Sequence, residues 1–191
     1  MADTSPPMTR PDPRAADRFE HVYEVARDPL VRYLARRAAP DAVEDLFAEV
    51  MTVAWRRVAE IPAGAELPWL YGTARRVLAN HRRANSRFGR LVEKLALFAR
   101  DADPGLPALA DPDLADALAG LSPTDAEILR LWAWEELAPA EMAVVLGISA
   151  NAASIRLHRA KGRLRGRLED TRRKTAPVAG HVPGVERKEA R

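Results

Sequence analysis

The segment Leu121 to Arg167 constrains the fold more than any other part of the chain. It reads as a helix, a short tight helix, a turn and a long basic helix. Ser122-Pro123 opens the first, with Ser122 as N-cap and Pro123 at the first helical position. Apolar residues recur at Ile128, Leu129, Leu131 and Trp132. A second Pro opens a short helix from Pro139 to Leu146. Gly147 stands where a sharp turn must fall, and Ser149 caps the helix that follows. That last helix carries Arg156, Arg159, Lys161, Arg163, Arg165 and Arg167. A helix-turn-helix with a basic second helix is a device for placing side chains in the DNA major groove.

The face pattern of the basic helix agrees. Ala153, Leu157, Ala160 and Leu164, at steps of four, three and four, form one apolar stripe for packing. Ser149, Asn151, Ser154, Ile155 and His158 stand near the helix start and off that stripe, where base edges would lie. Ile155 there suits a thymine methyl. Arg156, Arg159, Lys161 and Arg163 are placed for phosphates, which carry affinity rather than sequence information. Ala143 and Gly147 are small where two helices are expected to approach. A solvated charged face would explain the basic helix alone; the two Ser caps and the Gly turn favour DNA.

The rest of the chain is helical by pattern, with no convincing strand. At 191 residues it suits one large or two small domains. Residues 1–14 hold four Pro, show no periodicity and are expected to be disordered; they lack the apolar stretch of a secretory signal. Helices are expected over about 15–38, with a break or kink at Asp28-Pro29, over 41–59, and from Pro68 to about 85. A short helix is possible by pattern over 91–99. From Asp101 to Leu129 there is no Lys or Arg, and there are seven Asp or Glu. The stretch to residue 112 reads as an acidic flexible linker. The expected architecture is all-α: two small helical domains, 15–90 and 113–170, the second a helix-turn-helix domain, joined by a linker at 91–112, with a disordered tail from 171.

Two helices of the first domain carry opposite charge. Asp41, Asp45 and Glu49 line up at steps of four, with Glu44 beside them. Like charges at that spacing destabilise a helix slightly, by about 0.2–0.5 kcal/mol per pair, so the ridge invites a basic partner. Favourable placement of acids near a helix N-terminus explains part of it equally well. The next helix carries Arg75, Arg76, Arg82 and Arg83, with Asn80 between them and Trp69 and Tyr71 at its start. Arginines beside rings can hold single-stranded DNA, although Trp69 is the better candidate for core.

Taken in order, three segments resemble an extracytoplasmic-function type sigma factor of bacterial RNA polymerase. Ala42 to Arg56 is similar to the family's segment that docks on the polymerase clamp. Pro68 to Arg83 resembles the helix that opens and reads the −10 promoter element. Leu121 to Arg165, with Leu146-Gly147-Ile148-Ser149 and Ile155 to Ala160, resembles the −35 reader. The resemblance implies that Asp41, Glu44, Asp45 and Glu49 grip the clamp of the β′ subunit of core RNA polymerase. It implies that Arg75, Arg76, Asn80, Arg82 and Arg83 hold the melted −10 strand of promoter DNA. It also implies an anti-sigma factor as partner. No cofactor, metal or small-molecule substrate is expected.

Other classes fare worse. With no Cys, a disulfide framework and Cys-ligated zinc are excluded. His21, His81, His158 and His181 are isolated from any nucleophile motif, and no Walker loop, dinucleotide turn or zinc spacing is present. No apolar run reaches the roughly 18 residues of a bilayer span, so a cytoplasmic home is expected. A purely structural adaptor would leave the Arg-rich helices without a role. The remaining alternative is a conventional helix-turn-helix transcriptional regulator, which needs neither the acidic ridge nor the second basic helix.

Overall fold

The computed structural model describes residues 13–93 and 111–175, with side chains over 13–85 and 111–173. The expectations for residues 1–12, for most of the linker and for the tail beyond 175 lie outside the described residues. Among the described residues every regular element is helical: α1 (Pro13–Ala35), α2 (Val43–Arg56), α3 (Glu66–Glu93), α4 (Pro112–Ala119), α5 (Pro123–Ala133), α6 (Pro139–Leu146) and α7 (Ala150–Thr175).

The first three helices pack pairwise. In α1, Val22, Ala26, Leu30, Tyr33 and Leu34 recur at helical spacing and are fully buried. The helix runs through Pro29 without a break, which was one of the two outcomes, break or kink, expected there. Leu46, Val50 and Ala54 of α2, and Leu70, Ala74 and Val77 of α3, complete that core. Short 3-10 turns, Pro40–Ala42 and Val58–Glu60, flank α2. Arg18 ties the loop after α2 to α1 by donating to the carbonyls of Val58, at 3.2 Å, and Ile61.

Local chemistry fixes the ends of the later helices. The Asp111 carboxylate accepts from the N–H groups of Asp113 and Leu114 at 3.0 and 3.3 Å, capping α4 ahead of Pro112. Ser122 Oγ accepts from Asp125 N–H at 3.1 Å, and Glu141 accepts from Ala138 N–H at 2.7 Å. Gly147, at φ 66° and ψ 39°, ends α6 in the left-handed region, and Ile148 N–H returns to Ala143 O at 3.1 Å. Nothing crowds the missing Cβ of Gly147, so its role is this backbone conformation and not the helix approach expected of it. Ser149 Oγ then caps α7, accepting from Ala152 N–H at 3.1 Å.

Helix α7 continues to Thr175, past the domain end expected at 170. Arg173 pairs with Glu169 and Asp170 one turn back, and Arg172 reaches Asp111 at 3.7 Å. These spacings favour continued helix. The two halves pack directly on each other, α3 against α6, and their apolar side chains form one continuous cluster. The contact is close: a Cβ on Gly72 would lie 3.3 Å from Val145 O. Gly72 permits that approach because it carries no side chain.

Candidate nucleic-acid and polymerase interface

Helix α7 separates two faces cleanly. Ala153 and Ala160 are fully buried and Leu157 nearly so, against α5 and α6. Asn151, Ser154, Ile155, His158 and Arg159 are all exposed. Their spacing of three, one, three and one places them on one side of the helix. Ile155, 43% exposed, lies on that same side. The chain turns through 102° between α6 and α7, within the range of helix-turn-helix units. Ser149 spends its hydroxyl on the cap and therefore serves the helix start.

Two of the expected phosphate contacts are committed within the protein. Arg163 Nη1 donates to both oxygens of Asp125, at 2.9 and 2.7 Å, and Asp125 is 5% exposed. This pair ties α7 to α5. Lys161 Nζ lies 3.4 Å from the centroid of the Trp132 ring. Arg156 is half-buried, while Arg159 is exposed and, among the described residues, in no ion pair.

In α3 the basic residues emerge only after the enclosed first turns. Arg75, Arg76, Asn80, Arg82 and Arg83 are exposed. Arg76 donates to Thr73 Oγ1 at 3.4 Å, Arg82 to Arg37 O at 3.2 Å, and Arg83 to Asn80 Oδ1. Tyr71 is buried and stacked on Tyr33, with ring centroids 4.7 Å apart. Trp69 is half-buried beneath Arg57 at 5.7 Å and packs on the core, so neither ring stands free for base stacking here. On α2 and the turn before it, Asp41, Glu44, Asp45 and Glu49 are exposed, and among the described residues none is in an ion pair.

The densest polar network was not anticipated. It joins the two halves. Arg37, 3% exposed, donates to Glu135 Oε1 at 2.8 Å and to Tyr33 O at 3.2 Å, and its guanidinium lies 3.7 Å over the Tyr33 ring. Arg36 also pairs with Glu135. Tyr33 OH donates to Glu127 Oε1 at 3.3 Å, and Arg37 Nε stands 3.7 Å from the same oxygen. Burial, reinforced by the Glu127 charge, pushes the Tyr33 phenol well above its ordinary range, and burial pushes Tyr71 up to about 12. Arg36 Nε and Arg37 Nε and Nη2 remain without acceptors. Such a network is specific but weakly stabilising on balance, because desolvation of its charges offsets their attraction. No local pattern announces it: its partners stand 94 to 99 residues apart.

Comparison with known proteins follows the same division. Residues 25–88 match the family model described as Sigma-70 region 2, and residues 113–164 match the one described as Sigma-70, region 4. The chain is 35% identical over 156 residues to the RNA polymerase sigma-E factor of Streptomyces avermitilis, which spans 79% of this chain and 85% of that protein. Among solved structures, the sigma factor RpoE of the Bartonella quintana complex with the anti-sigma factor NepR matches with a TM-score of 0.57 at 21% identity. That match covers 79% of this chain and 96% of that one. CnrH, solved in complex with the cytosolic domain of CnrY, matches with a TM-score of 0.51 at 20% identity over 82% and 95% of the two chains. At these identities the two structures speak for a shared fold.

Proposed function

The chain belongs to the sigma factors of the extracytoplasmic-function type, and from that premise we propose how its halves divide the recognition of a promoter. As a sigma factor it is an initiation factor that binds core RNA polymerase and directs it to promoter DNA, with no reaction of its own. The exposed acids Asp41, Glu44, Asp45 and Glu49 dock on the basic clamp of the β′ subunit. Arg75, Arg76, Asn80, Arg82 and Arg83 hold the −10 strand. Helix α7 enters the −35 major groove, with Asn151, Ser154, Ile155 and His158 toward base edges and Arg156 and Arg159 toward phosphates. Residues 15–90 and 113–170 are the working units. No single described helix is long and apolar enough to cross a membrane, and the site of action is the cytoplasm.

The observation that carries this reading is the exposed face of α7, residues 151 to 159, held by a capped turn in a molecule whose α2 presents exposed carboxylates. The two promoter elements lie about 25 base pairs apart, on the order of 85 Å at about 3.4 Å per pair. In the packed form α3 touches α6, so that form cannot read both elements of a straight duplex at once. The halves therefore separate on the polymerase, and the packed form is the resting one. An anti-sigma protein, as in the RpoE–NepR complex, is the natural partner for it.

The test is transcription from genomic DNA by core enzyme with and without the chain. Start-site-specific transcripts that depend on the chain are expected. Tight footprinting of an operator by the chain alone, with no such transcripts, would mean a conventional helix-turn-helix regulator instead. Asp45→Arg should weaken capture of core polymerase while leaving the thermal melt unchanged; undiminished capture would remove the α2 ridge from the docking surface.

A further inference from the structure

Helices α4, α5 and α7 leave an apolar pocket of about 150 Å3 between them, open to solvent. Its walls include Leu114 and Leu118 of α4, Leu129 and Trp132 of α5 and Leu164 of α7. Leu114, Leu118 and Leu164 are half-buried, and Trp132 is 45% exposed. Lys161 Nζ, 3.4 Å from its ring centroid, holds the Trp132 wall in place. Arg130, the charged group of the lining, pairs with Glu127 at 3.9 Å. Apolar surface left against water is unfavourable in proportion to its area, so such a pocket favours an apolar occupant. A dry apolar cavity of about this size takes one benzene ring.

The chain itself carries a ring within reach. Residues 94–110 join α3 to α4 and lie outside the described residues. Their sequence holds the apolar run Leu95-Ala96-Leu97-Phe98-Ala99, in which Phe98 supplies the ring. Both ends of this connection are placed. Asp111 caps α4 one turn before Leu114, and Arg172 of α7 reaches it at 3.7 Å. The thirteen residues from there back to Phe98 can span about 45 Å. From the other end, Arg82 of α3 and Leu118 line one cleft. Helix α3 beyond Arg82 carries the chain about 16 Å onward, and the five residues from Glu93 to Phe98 can span about 17 Å back. A group tethered at this length acts at an effective concentration on the order of millimolar. A second copy or an outside partner lacks that advantage.

We infer that the segment 95–99 docks on the second half of its own chain, with the Phe98 ring seated in the pocket between α4, α5 and α7. Seating it leaves five residues free between the halves, about 17 Å of chain, where the whole connection spans about 60 Å. The docked segment therefore holds the halves near each other, alongside the ion pairs of Arg37.

The experiment is nuclear magnetic resonance of the full chain, deuterated except for Phe rings and Leu methyls. Cross-peaks are expected between a Phe ring and the methyls of Leu114, Leu118 and Leu164. They should vanish in Phe98→Ala and persist in Phe88→Ala. Amides of α4 should exchange about tenfold faster in Phe98→Ala, as the loss of one seated ring implies. Ala133→Lys gives a second variant that leaves the segment intact. Ala133 is exposed, lines the pocket and ends α5, where a cation suits the helix. It should remove the same cross-peaks while the thermal melt stays cooperative. Absence of the cross-peaks in the unaltered chain would overturn the inference, by showing a pocket left open for an outside partner. Cross-peaks that survive Phe98→Ala would overturn it by assigning the pocket to another ring. Cross-peaks between labelled and unlabelled chains in a mixed sample would assign it to a second copy and overturn it as well. Docking is a property of the free chain, and no polymerase or DNA enters the measurement.

Discussion

Helices α3 and α7 both exceed 25 residues and carry clustered arginines, yet α3 is enclosed from Leu70 to Ala74 while α7 keeps one side in solvent from Asn151 to Arg159. The difference lies in what each packs against. Helix α7 has a narrow apolar stripe covered by α4, α5 and α6. Helix α3 meets α1 and α2 on one side and α6 of the other half on another. The helix assigned to the duplex groove is thus already open to solvent, while the helix assigned to the opened strand is partly occupied by its own molecule. Exposure in the packed form is a property of each helix's neighbours, and composition alone does not determine it.

The largest test of that contrast is Arg37→Glu. It would set a buried carboxylate against Glu127 and Glu135, where a guanidinium now satisfies both. Breaking a buried pair from one side costs about 3–5 kcal/mol, so the halves should come apart. Small-angle scattering should show an expanded chain with helical content kept, and α3 amides should exchange faster while those of α7 do not. An unchanged radius would mean that apolar contact between α3 and α6 suffices to hold the halves together.

A pH titration probes the same contact without mutation. Tyr33 and Tyr71 ionise less readily folded than unfolded, Tyr71 only near about 12. The unfolded chain gives up these protons first, near pH 10. Stability from keeping both phenols neutral is therefore whole below about pH 10 and falls as pH climbs toward 12. Melting temperatures across that window should drop steeply, and less steeply in Tyr33→Phe. A parallel fall in the variant would place the titration elsewhere.

On the open helix the expected effects are smaller and concern choice of sequence. Asn151→Ala and His158→Ala should each change preference at one −35 position by about 1–3 kcal/mol, read in a randomised-promoter selection. Identical selected sequences would move base reading to Ser154 and Ile155.

What was legible in the sequence was local. Ser122-Pro123, Pro139, Gly147 and Ser149 each act within a turn of themselves, so the helix ends they set are readable in order along the chain. The stripe Ala153, Leu157, Ala160 was readable for the same reason, as helical periodicity needs no partner to be seen. Arg37 and Glu135 are unremarkable in their own segments and meet only because two helices fold together. The carboxylate that holds Arg163 is 38 residues away, so a residue in a basic run looked like a phosphate ligand. Gly72 was likewise silent until Val145 lay against it.

Arg159 and Arg163 sit four residues apart on α7 and should respond in different assays. Arg159→Ala removes one exposed positive charge that is in no ion pair among the described residues. Promoter binding should weaken across sequences alike, and the slope of log affinity against log salt should fall by about 0.9 for the one lost phosphate contact. Stability should be unchanged. Arg163→Ala instead leaves Asp125, 5% exposed, without its guanidinium. Its main effect should be a lower melting temperature, from about 1–3 kcal/mol for an unsatisfied buried acceptor and toward the low end because the Arg163 side chain is 56% exposed. The salt slope of Arg163→Ala should stay near that of the unaltered chain. If instead it falls as far as in Arg159→Ala, Arg163 leaves Asp125 for phosphate when DNA arrives, and the open face of α7 extends one turn further than the free structure displays.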